Sequence, residues 1–449
     1  MAKTGAGYEC QECGAASPQW LGRCPACAAW DAIVPTVNVS PRRSRPGERR
    51  VAAAVPLREV PDAAVTPLGT GVGELDRVLG GGLVPASVTL LGGEPGVGKS
   101  TLLLQAVAGL AAAGRRCLLV TGEESPPQVR RRAGRLGAAV DGVYLLAETW
   151  LPNIHAAVDD LDPHVLVVDS IQTLTNPDLP GAAGSLAQVR ECAQSLVTLA
   201  KTHGVAVVLV GHVTKDGDLA GPRALEHVVD TVVSLEGDRH HGLRLLRTPK
   251  HRFGSTSELG VLEMTSAGLS PVADPSRVFL ADRRPGTPGS VVAAVVEGNR
   301  PLLVEVQALV TDAVAAIPRR SAQGVESGRL NMLTAVLGRR AAVPVGRSDV
   351  YVSVAGGLRV AEPGVDLAVA LALTGACRGL VVSPTTVAVG EVGLGGEVRQ
   401  VAHLERRLAE AARMGFTRAL APPTCPPVAG LTVVHVGTVS AAVAAADAA

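Results

Sequence analysis

Aromatic residues make up only 2% of this 449-residue chain, so no core can be organised around rings. Val, Leu and Ala must fill it instead. Lysine is scarce among the cations, occurring only at Lys3, Lys99, Lys201, Lys215 and Lys250. In a chain so rich in Ala and Gly this fits GC-rich coding, and it gives each lysine more weight. Neither sign of charge is in excess: the formal net charge is +1. Overall charge therefore implies no polyanion partner, and local clusters must decide. The opening residues, Met1 to Glu9, lack the apolar core of a secretory signal. The longest uncharged apolar run, Leu367 to Cys377, is too short to span a bilayer. Cysteines in disulfide spacing are missing too, since Cys117, Cys192, Cys377 and Cys425 lie scattered on apolar segments. The expectation is a soluble, cytoplasmic protein with no membrane partner, long enough for two or three domains.

What is present centres on Gly93-Glu94-Pro95-Gly96-Val97-Gly98-Lys99-Ser100-Thr101, which fits the phosphate-cradling pattern G-x-x-x-x-G-K-[ST]. A β-rich run, Ala86 to Leu91, precedes it, and a helix-forming run, Leu102 to Ala113, follows and is closed by Gly114. Glycines let backbone N–H groups turn onto the phosphates, and the helix offers its unpaired N–H groups to the same anion. Lys99 is expected on the β- and γ-phosphates of ATP, and Ser100 on Mg²⁺.

Cys10-x2-Cys13 and Cys24-x2-Cys27 form two C-x2-C pairs. Four thiolates from two such hairpins complete a closed tetrahedral Zn²⁺ site. About 35 residues bury too little apolar surface to fold alone, so the metal would supply the folding energy. Trp20 and Trp30 flank the second pair; packing on the knuckles is the expectation, with stacking on bases as the alternative. Residues 36–66, rich in Pro and Arg and without periodicity, read as a flexible linker.

From Gly69 to about Ser270 strands alternate with helices, implying a mostly parallel sheet with helices on both faces. Arg116 to Val120 is a strand ending near Glu123 and Glu124; either carboxylate is placed to activate water, and Glu123 is preferred. His164 to Asp169 is another strand, with Asp169 in the Walker B position for Mg²⁺. Val205 to His212 is a third, where His212 reads either as a γ-phosphate sensor or as a structural strand-end histidine. After a β-like run, Gly242 to Arg247, come Lys250 and Arg252. A second cation pair in a chain that already has Lys99 suggests charge supplied to a neighbour's phosphates, which requires a ring.

Leu75 to Pro85, the phosphate loop, Thr121-Gly-Glu-Glu-Ser125, Leu209 to Asp230 and Lys250 to Gly254 together closely resemble the bacterial RadA (Sms) family of DNA-repair ATPases. The resemblance implies an α/β fold: a RecA-like P-loop ATPase core (67–273), a small N-terminal four-cysteine zinc finger (1–35) and a C-terminal α+β Lon-protease-like domain (274–449). The family pentapeptide K-N-R-F-G appears here with His251 in place of Asn, and Ala28 stands where the finger usually has Gly. The resemblance further implies hexamers that translocate on single-stranded DNA, promote branch migration of branched intermediates and cooperate with RecA recombinase. Two Gly-rich loops, Asn176 to Ala187 and Asp216 to Arg223, correspond to channel loops in RecA-like rings. Lys215 and Arg223 are the candidate DNA phosphate contacts.

Tyr351 to Arg359, Glu362 to Leu371 and Gly390 to Gln400 resemble the Lon proteolytic fold. Lon chemistry needs a serine nucleophile and a lysine base. The stretch Glu362-Pro-Gly364-Val has no serine, Glu405 takes the lysine's place, and no lysine follows Lys250. Peptidase activity by that dyad is not expected. A KaiC-like regulatory ATPase that binds proteins is the other reading, and a response to single-stranded DNA separates the two.

Overall fold

The computed structural model describes residues 7–10, 15–17, 19–30, 32–36, 56, 58, 66–212, 223–237, 242–313, 315 and 317–447. Most of the expected linker, along with Cys13 and Lys215, lies outside them. By contacts the chain divides into two units: Met1–Gly237 with Arg244–Thr256 and Leu262–Pro271, and Asp238–Leu243 with Ser257–Val261 and Val272–Ala449.

At the start of the first unit, β1 (Gly7–Cys10) pairs antiparallel with both β2 (Ala16–Ser17) and β3 (Ile33–Thr36). The ATPase region opens with α1 (Gly73–Val78), β4 (Val88–Gly93) and α2 (Lys99–Ala112). Then come β5 (Cys117–Thr121), α3 (Pro126–Arg135), β6 (Val143–Ala147), α4 (Leu151–Leu161) and β7 (Val165–Asp169). The region closes with α5 (Leu186–His203), β8 (Ala206–His212), α6 (Arg223–Glu226), β9 (Thr231–Gly237), β10 (Leu243–His251), β11 (Leu259–Thr265) and β12 (Gly268–Pro271). The sheet order is β12-β11-β10-β9-β4-β8-β7-β5-β6. From β9 to β6 every pairing is parallel, so those strands end on one edge, where ligands bind in open α/β sheets.

Both faces of this sheet are covered, and strand alternation divides the apolar residues between them. Leu91, Leu119, Val167, Val208 and Val233 pack with α2 on one face. Leu90, Leu118, Val120, Leu166, Val168 and Leu209 pack with α4 and α5 on the other. Neither cluster contains an aromatic ring among its buried members.

Two expectations change here. The strand expected to end at Arg247 runs on to His251, so Lys250 is a strand residue. Its register with β9 shifts between Arg247 and Lys250, around Pro249, which has no N–H to give the ladder and is tolerated only at such an irregularity. The Gly-rich loop starting at Asn176 ends early, because α5 already begins at Leu186. Buried Gln188 ties the loop down: its Oε1 accepts from Asn176 N at 2.8 Å, and its Nε2 donates to the carbonyls of Asn176 and Leu179.

The second unit holds α7 (Pro275–Phe279), β13 (Ser290–Glu297), β14 (Arg300–Asp312), β15 (Arg320–Gln323), α8 (Ser327–Arg340) and β16 (Ser348–Val354). It continues through α9 (Asp366–Arg378), β17 (Thr386–Ala388), β18 (Glu391–Val392), β19 (Val398–Arg399), α10 (Leu404–Arg413), β20 (Arg418–Ala421), β21 (Thr432–His435) and α11 (Val439–Asp447). Its mixed sheet has the order β15-β16-β14-β13-β17-β20-β21. Helix α9 is buried at every position from Asp366 to Gly375, as befits a helix apolar on all sides. Leu404, Leu408 and Ala411 of α10 pack on Val292, Ala294 and Leu303. Among the described residues no helix is long and apolar enough to cross a membrane.

Candidate active site and metal centre

The phosphate loop leaves β4 at the middle of the sheet. Gly96 and Gly98 have φ of +78° and +117°, values that glycine adopts without strain. Gly93 is glycine for a different reason: a Cβ there would lie 2.5 Å from the Leu235 carbonyl oxygen. Glu94, Pro95 and Gly96 are exposed at the loop's tip, and Val97 beneath them is buried. Lys99 is 5% exposed, and its Nζ donates to the carbonyls of Gly93 at 2.8 Å and Glu94 at 3.1 Å. Burial pushes the Lys99 ammonium below the ordinary lysine range, while the charges of Asp169 and Glu123 act against the shift.

Strand ends bring the acids to this lysine. Thr121 lies beside Asp169 in the β5–β7 register, and Gly93 beside His212 in the β4–β8 register. The Ser100 hydroxyl, one residue beyond Lys99 in α2 beside Thr101, donates to Asp169 Oδ2 at 2.6 Å. The Ser170 hydroxyl donates to Glu123 Oε1 at 2.6 Å. Glu124 turns away, its Oε1 2.5 Å from Arg132 Nη2 of α3. The two neighbouring carboxylates thus have separate partners: Glu123 shares the lysine's field, and Glu124 is committed to an arginine. Ser170, Arg132 and Arg244, which donates from Nε to the Val97 carbonyl at 2.8 Å, escaped the sequence reading. Ser170 had a signal, since it directly follows the strand-end Asp169. The two arginines had none, in a chain where arginine is everywhere.

Lys250 and Arg252 lie at the opposite edge of the sheet. His251 is in register with Thr231, which is in register with Thr89; the end of β4, Gly93, aligns with Leu235. Four ladder steps, about 13 Å, separate the two levels. Lys250 Nζ donates to the carbonyls of Glu226 and Val229 (2.8 Å for the latter), just past α6. Arg252 Nη1 donates to Asp230 Oδ1 at 3.1 Å, and Asp230 Oδ2 accepts from Val88 N at the start of β4. His251, the departure from the family pentapeptide, has its Nδ1 3.0 Å from Thr231 Oγ1 and an edge-to-face contact with Phe253. Arg223 begins α6.

In the finger, the Sγ atoms of Cys10, Cys24 and Cys27 lie within 4.8 Å of one another. Cys10 and Cys27 are 3.6 Å apart, close to the roughly 3.8 Å of two thiolates on one tetrahedral zinc. The Ala26 amide donates to Cys24 Sγ at 3.4 Å. This donor set fits Zn²⁺. Packing of the tryptophans on the knuckles is not what the structure has: Trp20 is 55% and Trp30 74% exposed, with Arg23 over the Trp30 ring. The finger is too small to enclose rings of that size. Ala28 has φ +62°, a strained value for a residue with a Cβ. Ala28→Gly is therefore expected to stabilise the metal-bound finger by about 1 kcal/mol. Slower zinc release to a chelator would register it; unchanged release would refute it.

In the second unit, Gly364 lies in the stretch where the resemblance to the Lon fold leads one to expect a serine. A Cβ there would lie 2.7 Å from Glu362 Oε2 and 2.9 Å from Arg407 Nη1. Arg407, 3% exposed, makes a two-pronged pair with Glu362 and donates to the carbonyls of Ala294 at 3.1 Å and Ala402 at 2.8 Å. Glu405 is exposed on α10.

A family model described as an AAA domain matches residues 70–218, and one described as a rubredoxin metal binding domain matches residues 8–35. Among solved structures, a KaiC-like protein from Pyrococcus horikoshii OT3 is similar at 21% identity and a TM-score of 0.40, over 46% of this chain and 99% of that one. The DNA repair protein RadA of Halalkalibacterium halodurans is 46% identical over 426 residues, 94% of this chain and 93% of that protein. RadA of Bacillus subtilis is 44% identical over 431 residues, with the same coverage. The chain belongs to the RadA family. Its architecture is the one expected: an α/β chain with a RecA-like P-loop core, an N-terminal zinc ribbon and a C-terminal α+β domain. In this RadA-family chain the ATPase signature and the finger fall on the two segments where the structure gathers a phosphate loop with its acids and a cluster of thiols.

Proposed function

We propose that this RadA-family chain is a DNA-dependent ATPase of recombinational DNA repair. It works as a homo-hexameric ring in the cytoplasm, moving along single-stranded DNA and driving branch migration of intermediates made by RecA recombinase. The observation that carries the catalytic part is the cluster of Lys99, Ser100, Asp169, Ser170 and Glu123, held together by two 2.6 Å hydrogen bonds. Lys99 neutralises the β- and γ-phosphates as charge moves onto the leaving group. Glu123, oriented by Ser170, accepts the proton of the attacking water. Ser100 and Asp169 have the hydroxyl and carboxylate chemistry to hold Mg²⁺, which supplies further neutralisation of the phosphates. His212, beside the loop in register, reads the γ-phosphate. Lys250 and Arg252 serve the site of the adjoining subunit, and Lys215 and Arg223 touch DNA phosphates. Cys13 completes the zinc site of Cys10, Cys24 and Cys27. The C-terminal domain is a scaffold without peptidase activity, because residues 362–365 hold no serine and Glu405 stands where the Lon lysine is expected.

Steady-state ATP hydrolysis, measured against single-stranded, duplex and forked DNA with Lys99→Ala as the blank, tests this reading. Several-fold stimulation by single strands is expected, and none by protein partners alone. Turnover indifferent to every polynucleotide would favour the KaiC-like reading instead.

A further inference from the structure

Arg244 stands on β10, two strands from the phosphate loop's own strand, and reaches across to it. Its Nε donates to the Val97 carbonyl at 2.8 Å. Val97 is also confined from the side of β9: a Cβ on Gly237 would lie 2.9 Å from Val97 Cγ2, and 3.3 Å from the Arg244 side chain itself. The bare glycine thus makes room for the arginine and the valine together. The Val97 carbonyl belongs to the same planar peptide as the Gly98 N–H. In a trans peptide those two groups point in opposite directions. Fixing the carbonyl toward β10 therefore aims the Gly98 N–H the other way, into the concave side of the loop. Gly98 is the N-cap of α2 and takes φ +117°, a region where glycine has little preference of its own. With no Cβ at 98, the orientation of this peptide plane is set by its partners and not by a side chain.

We infer that Arg244 is a positioning residue of the nucleotide site, locking the Val97–Gly98 peptide so that the Gly98 amide is presented to the β-phosphate of ADP and ATP alike. The inference rests on the nucleotide-site reading above and deepens it. A donor used equally in ground and transition states changes affinity rather than the chemical step. Without the lock, one phosphate hydrogen bond is weakened and the loop must be ordered by the ligand itself.

The test is ADP affinity by fluorescent-analogue titration, with KM and kcat for ATP, on full-length protein without DNA. Arg244→Met is expected to weaken ADP binding and raise KM about 10-fold, with kcat at saturation within about 3-fold of wild type. Arg247→Met, which removes another β10 arginine, one paired with Glu236 at 3.5 Å, should leave both constants unchanged. Should Arg244→Met fail to fold, Arg244→Gln is read in the same way. Equal ADP affinity in wild type and the Arg244 variant would overturn the inference, as would an equal loss in Arg247→Met or a fall in kcat at unchanged KM. A wild type that bound no ADP would instead overturn the nucleotide-site reading.

Discussion

Glu123→Gln is expected to keep nucleotide binding and lose turnover by about 10²- to 10⁴-fold, the usual contribution of a positioned general base. The amide is isosteric, and its oxygen can still accept the Ser170 hydroxyl, so the loop keeps its shape. What disappears is the capacity to take a proton from water. Glu124→Gln is the paired comparison: its carboxylate is bound to Arg132 at 2.5 Å, and both side chains are 29% exposed. Loss of a partly exposed ion pair costs on the order of 1 kcal/mol or less of stability and should spare turnover. Single-turnover hydrolysis of ATP by the two variants separates them. An active Glu123→Gln beside an inactive Glu124→Gln would reverse the assignment.

The second large effect concerns Arg252. Arg252→Ala is expected to lower hydrolysis by about 10³-fold or more while the chain still binds ATP, as for a cation supplied in trans. Lys99→Ala should be equally inactive because its own phosphate loop is crippled. Mixed together, the two inactive chains should recover activity. A Lys99→Ala subunit still offers a sound Arg252 to the intact loop of its Arg252→Ala neighbour, and about one interface in four is then complete. The geometry behind this is the four-step offset along β9: Lys250 and Arg252 lie at the far edge from their own loop, Arg252 tied through Asp230 to the start of β4. Persistent inactivity of the mixture, in particles shown to contain both chains, would place the two cations in cis.

Much of the core was legible because its signals are local. The Gly pattern before Lys99 and the apolar runs closing on Asp169 and His212 each state their own strand or loop. What stayed hidden depends on partners distant in sequence. Nothing near Glu124 announces Arg132 as its counter-ion, and nothing near Val97 points to an arginine 147 residues on. Pro249 concealed the continuation of β10, since proline normally argues against a strand. Helix α8 does carry a local signal, since Leu330, Leu333 and Leu337 share a buried face between Arg329 at its start and Arg339 and Arg340 at its end. The tryptophans of the finger misled in the other direction: large apolar side chains suggest a core, but a domain built on a metal has no room for them.

The Glu362–Arg407 pair fills the space that a side chain at position 364 would need. Any residue larger than glycine at 364 would push one partner or the other out of the pair. Removing Arg407 leaves a partly exposed Glu362 with the Val296 and Gly364 amides, whereas removing Glu362 leaves the buried Arg407 guanidinium with two carbonyls and no counter-charge, the costlier loss. A change at 364 is therefore felt first as a charge losing its counter-ion, so the glycine and the pair can only vary together.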